Sequence, residues 1–264
     1  MRFITPRGYG TGSFPLPRKK CCGESCPMKI RMIYLAAGNS RRFGSNKLLY
    51  KTGGKPLFAY GLDVLIKVLE EREDTSLTVV TNFAGVAAYA AAGRQRICRE
   101  REGLSGKGTL WQERISIVKS PHSHKGISHS IRAGLLGPGK DAVASFDTGV
   151  FRQPGRGSGK LCAPGPDADY YLFCVADQPY INEKTIISLI QKTAERGCIG
   201  GFVEWEGKSG NPVVFSKELF GELLALEGDR GGKRLLAGRE NVCRVRAGSR
   251  EEMEDVDYKK CIEE

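Results

Sequence analysis

The chain has no apolar run approaching the roughly 18 residues that a bilayer span requires, so nothing in its 264 residues reads as a membrane anchor. The most apolar segment, VVTNFAGVAAYAAAG, is dominated by Ala and Gly and broken by Asn82, the pattern of a strand, a turn and a helix. Arg2 and Arg7 are followed by no apolar core, so no secretory signal is expected and a cytoplasmic location is. Histidine is scarce: the three in the chain, His122, His124 and His129, all fall within eight residues. That H-x-H-x4-H spacing could hold a transition metal, but a solvated loop explains it more simply. Two phosphate-binding fingerprints are also missing. Walker A needs G-x4-GK-[ST], whereas Gly38 and Gly44 are separated by five residues and Lys47 stands three after Gly44. GDRGGKR, from Gly228 to Arg234, fails the same test because Arg234 replaces Ser or Thr, and the Rossmann G-x-G-x-x-G is absent.

Nine cysteines are present, but they are odd in number and scattered, so no disulfide framework is expected. Cys21, Cys22 and Cys26 form a C-C-x3-C cluster without the second pair that a zinc ribbon needs. Cys98, Cys162, Cys174, Cys198, Cys243 and Cys261 read as small core or surface thiols. The net charge is +11, and residues 1–31 carry seven basic side chains against one acid, Glu24. More than half of the excess therefore lies within these 31 residues. A basic tail could touch nucleic acid or acidic lipid, but no sustained aromatic-basic pattern supports it, and nucleic acid is not expected as a partner. Residues 1–27 read as a disordered basic extension, and Met28 stands directly before the apolar run that opens the domain of residues 28–264.

From there the hydrophobic pattern alternates. IRMIYLA (Ile30–Ala36) predicts a buried strand, and PLFAYGLDVLIKVLEE a helix with Pro56 in its first turn. SLTVVT, ISIVKS and YYLFCVA predict further strands, and the segments from Phe83, within GISHSIRAGLLG and from Glu183 to Glu195 predict helices, the last capped by Asn182. CIGGFVEW and NPVVFS predict strands flanking a turn at EGKSG, followed by a helix in SKELFGELLAL and a strand at VCRVR. Residues 93–109 and 137–169 lack a sustained period and read as insertions. Strands alternating with helices imply an α/β fold: a three-layer sandwich around a mostly parallel sheet, with ligands outside the carboxyl ends of the strands.

The loop after the first strand is LAAGNSRRFGSNKLL. Small residues (Ala36, Ala37, Gly38) allow close approach of backbone to a ligand, and Gly44 can supply a positive φ. Main-chain N–H groups of such a loop form an anion nest, and Arg41, Arg42 and Lys47 add full positive charge. By these residues alone the loop binds an anion, and many phosphate ligands would fit.

The pattern LAAG-x-S-x-R-F-G-x-x-K-L-L from Leu35 to Leu49 resembles that of the MobA-like nucleotidyltransferases, in particular the molybdenum cofactor cytidylyltransferases and accessory proteins of molybdenum hydroxylases. The resemblance continues in order through Gly54–Leu57 (GKPL), Gly126–Leu135 (GISHSIRAGL), Val175–Ile181 (VADQPYI), Gly210–Phe215 (GNPVVF), Gly228–Leu236 (GDRGGKRLL) and Asp255–Asp257 (DVD). It implies a Rossmann-like nucleotidyltransferase fold and a reaction that uses a nucleoside triphosphate, Mg²⁺ and a phosphorylated acceptor. In the cofactor branch the acceptor is molybdopterin, CMP is transferred from CTP, and a molybdenum hydroxylase is the eventual partner.

On that resemblance Lys47 and Arg42 bind phosphate, and Leu35, Ala36, Ala37, Gly38, Asn39, Ser40 and Gly44 line the nucleotide. Asp177, at a strand end before Pro179, matches the metal aspartate, as a hard ion prefers oxygen. Asp257 is the matching second carboxylate, although Tyr258 and Lys259 follow it where the family usually has Thr-Pro. Ser128 and Ser130 open a helix whose N–H groups and hydroxyls could bind base or phosphate; simple capping explains one of them equally well. Ala37 favours CTP, since the GTP-using branch reads LAGG. Asn211 stands where the cytidylyltransferases usually have His, which leaves acceptor identity open. Rival readings are transfer from GTP, a sugar- or alcohol-phosphate acceptor, and a molybdopterin-binding chaperone without turnover.

Overall fold

A computed structural model describes residues 28–38, 46–105, 113–138 and 165–256, with 101–105 as backbone alone. Its larger strands are β1 (Ile30–Ala36), β4 (Thr75–Thr81), β5 (Ile115–Val118), β6 (Tyr170–Val175), β7 (Gly200–Trp205), β8 (Lys208–Ser216) and β9 (Val242–Arg246). Two-residue strands β2 (Lys51–Thr52) and β3 (Lys55–Pro56) make a small hairpin. The helices are α1 (Leu57–Glu71), α2 (Ala84–Ser105), α3 (Ile127–Leu136), α4 (Glu183–Glu195) and α5 (Phe220–Leu224).

The seven large strands form one sheet in the order β5-β4-β1-β6-β8-β7-β9. β1 pairs in parallel with β4 on one edge and β6 on the other, each along nearly its whole length. Only β8 runs against its neighbours in the sheet. Its turn from β7 is tighter than EGKSG suggests: Glu206 and Gly207 take φ of 48° and 81°, a two-residue connection matched to strand twist.

The side-chain period of two splits β1 between two cores. Ile30, Met32, Tyr34 and Ala36 face α1, α2 and α4; Ile33 faces α3 and α5 with Val80, Phe173 and Phe215. The expected three-layer Rossmann-like sandwich with a mostly parallel sheet is what the chain adopts.

One expected insertion is a helix instead. From Gly93 to Ser105 the chain continues α2, because GRQRICRERE is built of good helix formers, Arg96 pairs with Glu100 at i,i+4, and Ile97 and Cys98 are buried. Gly93 misled by composition; its place is packing, since a Cβ there would lie 2.9 Å from Ile66 Cδ1. In the second, residues 139–164 lie outside the described residues, as does the extension 1–27. The closing residues 165–169 are held: Asp167 pairs with Arg31, and Asp169 accepts from the Lys29 amide and from Lys217 Nζ at 2.8 Å. Cys98, Cys174, Cys198 and Cys243 are buried free thiols. Among the described residues no helix is long and apolar enough to cross a membrane.

α3 approaches the sheet closely through Gly134, where a Cβ would stand 2.4 Å from Ile33 Cγ2 and 3.2 Å from Val80 Cγ2. Gly134→Val must push the helix off the sheet, and overpacking of this kind costs about 1–3 kcal/mol. A urea titration should show a lower unfolding midpoint than wild type; an unchanged midpoint would contradict this packing.

Candidate active site

The chain leaves β1 for β4 on one side, while β6 lies on the other, so the strand order switches direction at β1. In open α/β sheets a crevice forms at such a point, outside the carboxyl ends of the strands. Four parts of the chain meet that edge: Ala37, Gly38 and Lys47 after β1, Asn82 after β4, 119–130 after β5 and 176–181 after β6.

The β1 and β6 ends are locked together, since the Ala176 amide donates to the Leu35 carbonyl at 3.1 Å. Ala36 and Ala37 are buried, Leu35 is half-buried and Gly38 is exposed with open space where a Cβ would be. Asn39, Ser40, Arg42 and Gly44 lie outside the described residues. Asn46 accepts from the Leu48 amide with its side chain at 3.1 Å and caps a 3-10 turn over Lys47–Leu49. Leu48 is buried in the core beneath this turn. The β2–β3 hairpin is the next support: Gly53 and Gly54 turn with φ of 54° and 79°, and the Tyr60 hydroxyl donates to the Thr52 carbonyl at 2.7 Å. Neither the 3-10 turn nor the hairpin was expected from the sequence.

This support delivers Lys47 to Asp177. Lys47 Nζ donates to Asp177 Oδ2 at 2.8 Å, with side-chain exposures of 13% and 28%. A charge-assisted bond of this length, largely out of water, is a strong polar contact. Asp177 follows β6 by two residues, and Asn182 starts α4 by accepting from the Lys184 amide, so Asp177 is not that helix's cap. Just beneath, burial holds the Tyr34 phenol well above its ordinary pKa, with Cys174, Asp177 and Asp63 adding to the effect. Its hydroxyl donates to the Phe58 carbonyl at 2.6 Å, tying β1 to α1.

The C-terminal segment also reaches Asp177. The Val256 amide donates to the Asp177 carbonyl at 2.9 Å, and buried Gln178 donates from Nε2 to the Met253 carbonyl at 3.3 Å. Gln178 is a support whose signal in the sequence is a polar residue directly beside Asp177. Met253 in turn packs on Gly210, where a Cβ would fall 2.6 Å from Met253 Cε. Asp257 lies one residue beyond Val256 and outside the described residues.

The far wall is formed by the segment after β5 and the start of α3. Ser128 and Ser130 are both buried; Ser130 Oγ donates to Ser120 Oγ at 3.4 Å, and Ser128 Oγ has no partner. The first three N–H groups of α3 are already engaged: Ile127 with Asp229 Oδ1, Ser128 with the Gly228 carbonyl and His129 with the Gly126 carbonyl. Gly126 makes this contact possible, since its φ is 134° and a Cβ would sit 2.3 Å from the Gly228 carbonyl carbon. The GDRGG turn therefore closes the helix end that an anion would otherwise use. Among the described residues no group of three His, Cys, Asp or Glu is placed to hold a metal, and the His122 ring lies 6.0 Å and 6.1 Å from those of His124 and His129.

Comparison with known proteins agrees with this architecture. The profile of the MobA-like NTP transferase domain matches residues 32–243. The purine catabolism protein PucB of Bacillus subtilis (strain 168) is 25% identical over 205 residues, covering 77% of this chain and 78% of PucB. Rv0371c from Mycobacterium tuberculosis H37Rv shares the fold with a TM-score of 0.57 at 20% identity, over 90% of this chain and 100% of that one. Molybdopterin-guanine dinucleotide biosynthesis protein A from Archaeoglobus fulgidus gives a TM-score of 0.50 at 14% identity, over 88% and 94% of the two chains. With a profile match running from within β1 into β9, across both Lys47 and Asp177, the chain belongs to the MobA-like NTP transferase family.

Proposed function

We propose that this protein is a Mg²⁺-dependent nucleotidyltransferase that transfers CMP from CTP to a molybdopterin-type acceptor. The observation that carries the reading is the Lys47–Asp177 pair at the switch-point crevice, within a chain of this family. A point-charge ammonium suits β- and γ-phosphate oxygens, and a strand-end carboxylate suits a hard cation. The donor chemistry fits the ion: Asp177 offers oxygen at a partly open position, and Asp257 follows a residue already bonded to the Asp177 main chain. When bound, Mg²⁺ would neutralise charge on the phosphoryl group undergoing transfer.

The protein's part is placement and charge. A terminal phosphate oxygen of the acceptor attacks the α-phosphorus of CTP; that P–O bond forms as the bond to the β-phosphate oxygen breaks, and pyrophosphate leaves. Lys47, with Arg42, would hold the departing phosphates, while Ala36–Gly38 admit the triphosphate against main chain. No covalent intermediate is needed. The molybdopterin assignment rests on the sequence resemblance, and the names of PucB and of the guanine dinucleotide protein keep purine metabolism and GTP within the range to be assayed.

A pyrophosphate-release assay with each of four nucleoside triphosphates, with and without molybdopterin, tests the reading directly. CTP with the pterin should be the productive combination, and Asp177→Ala should lower turnover by at least about a hundredfold, the scale of losing a charge-stabilising group. Ligand binding without turnover would instead support a chaperone.

Lys47 and a cation compete for the Asp177 carboxylate, and passing the ammonium to phosphate frees Oδ2 for the cation. Lys47→Met should therefore tighten Mn²⁺ binding to the nucleotide-free chain and weaken triphosphate binding, both by titration calorimetry. Loosened Mn²⁺ binding would show that the lysine supports the carboxylate rather than competes for it.

Ala37 is buried at the base of the loop, so its methyl group bears on how closely a nucleotide can sit. Ala37→Gly should erode the CTP-over-GTP preference by about tenfold, the worth of one methyl-sized contact. An unchanged ratio of kcat/KM values would remove this residue from base selection.

A further inference from the structure

Asn82 bonds with its side chain across the carboxyl edge, from the end of β4 to the segment following β5. The β4–β5 ladder stops at the pair Val80 and Val118. Two residues further on, Asn82 takes over with its side chain. Its Oδ1 accepts from the Ser120 amide at 3.0 Å, and its Nδ2 donates to the Ser120 carbonyl at 2.6 Å and to Ser123 Oγ at 2.9 Å. A carboxamide bonded to both main-chain groups of one residue imitates a peptide unit, so it acts as an added rung of the sheet.

What this rung holds is the far wall of the crevice. Ser120 is buried, and its hydroxyl meets that of Ser130 in the second turn of α3. Ser123 opens the 3-10 turn that leads through Gly126 into α3. On its other side, α3 is fixed by Gly228 and Asp229. Segment 119–130 is thus clamped at one end to the rigid sheet and at the other to the GDRGG turn. A loop left to itself would sample many positions at an entropic cost borne on binding.

We infer that Asn82 is a positioning residue for nucleotide binding: it sets the 119–130 wall at the distance from Asp177 and Ala36–Gly38 that a bound nucleoside requires. The inference rests on the proposed function and assigns Asn82 no contact with the reacting atoms. Removing the rung should widen the distribution of wall positions, raising the cost of binding without altering the phosphate chemistry at Lys47 and Asp177.

Asn82→Ala and Asn82→Asp test this, the second keeping shape and the Oδ1 acceptor while losing both donated bonds; Ser123→Ala removes one arm alone. Nucleotide Kd and KM should rise about tenfold in both Asn82 variants and less in Ser123→Ala, with kcat within about twofold and Mn²⁺ affinity unchanged. Amide hydrogen exchange at Ser120–Ser130 should speed up in step. Should Asn82→Ala fail to fold, Asn82→Asp and Ser123→Ala supply the same readings. Unchanged nucleotide affinity in folded variants, or a fall in kcat with KM constant, overturns the inference alone. A wild-type chain that binds no triphosphate overturns the proposed function, and the inference with it.

Discussion

The position of β1 governs everything built at the crevice. It is hydrogen-bonded along both edges, to β4 and β6, and its side chains are spent alternately on two cores. A strand held on all four sides has no freedom to shift, so the point where the chain leaves it, at Ala36, is fixed to within the tolerance of a packed interior. Everything that follows Ala36 is then launched from a known place beside the end of β6. That is why Lys47 and Asp177, separated by 130 residues in sequence, can meet at 2.8 Å without either sitting on a long regular element.

Asp177 makes that meeting useful because its two ends serve different neighbours. Its carboxylate faces Lys47, while its carbonyl receives the Val256 amide and so draws the end of the described chain alongside. The adjacent Gln178 repeats the tie through the Met253 carbonyl. A carboxylate anchored by its own main chain loses little further freedom on gaining a ligand, the condition for charge stabilisation without reorganisation. The ion pair is the one part of this arrangement designed by its chemistry to exchange, since an ammonium can move from carboxylate to phosphate by rotating a flexible stem.

How much of this was legible in the sequence follows from how local each cause is. The strand Ile30–Ala36, the helix from Leu57 and the Asn182 cap depend on near neighbours, and each stands where its pattern placed it. The α2 continuation was not legible, because a helix carrying Arg and Glu around most of its surface, with Ile97 and Cys98 turned inward, shows almost no amphipathic period. Asp177 was legible as a carboxylate at a strand end; its supports were not. Gln178 bonds a carbonyl 75 residues away and Asn82 bonds a main chain 38 residues away, and a carbonyl acceptor leaves no mark on residue type. The α3 N-terminus was legible only in part for the same reason: GISHSIRAGL shows a helix start with serines, but only the fold shows Gly228 and Asp229 already occupying its main-chain donors.

The two walls of the crevice consequently differ in kind. The 119–130 wall is held by short-range polar bonds: Asn82 bonds both main-chain groups of Ser120, the Ser130 hydroxyl meets that of Ser120, and the Ile127, Ser128 and His129 amides have partners, with the buried Ser128 hydroxyl left without one. Opening it would strand buried polar groups at about 1–3 kcal/mol each, so it holds its shape. The Lys47–Asp177 side carries full charges whose partners can be exchanged for ions of the same sign at little net loss. For a ligand that is a flat base at one end and a polyanion with its cation at the other, this is the appropriate division. A rigid wall discriminates shape, where a misfit cannot be relieved by movement. An exchangeable ion pair receives charge, where the incoming phosphates and cation replace what they displace. On the proposed function, specificity for the base and capture of the triphosphate are therefore separable properties of opposite sides of one crevice, joined only through the immobile strand between them.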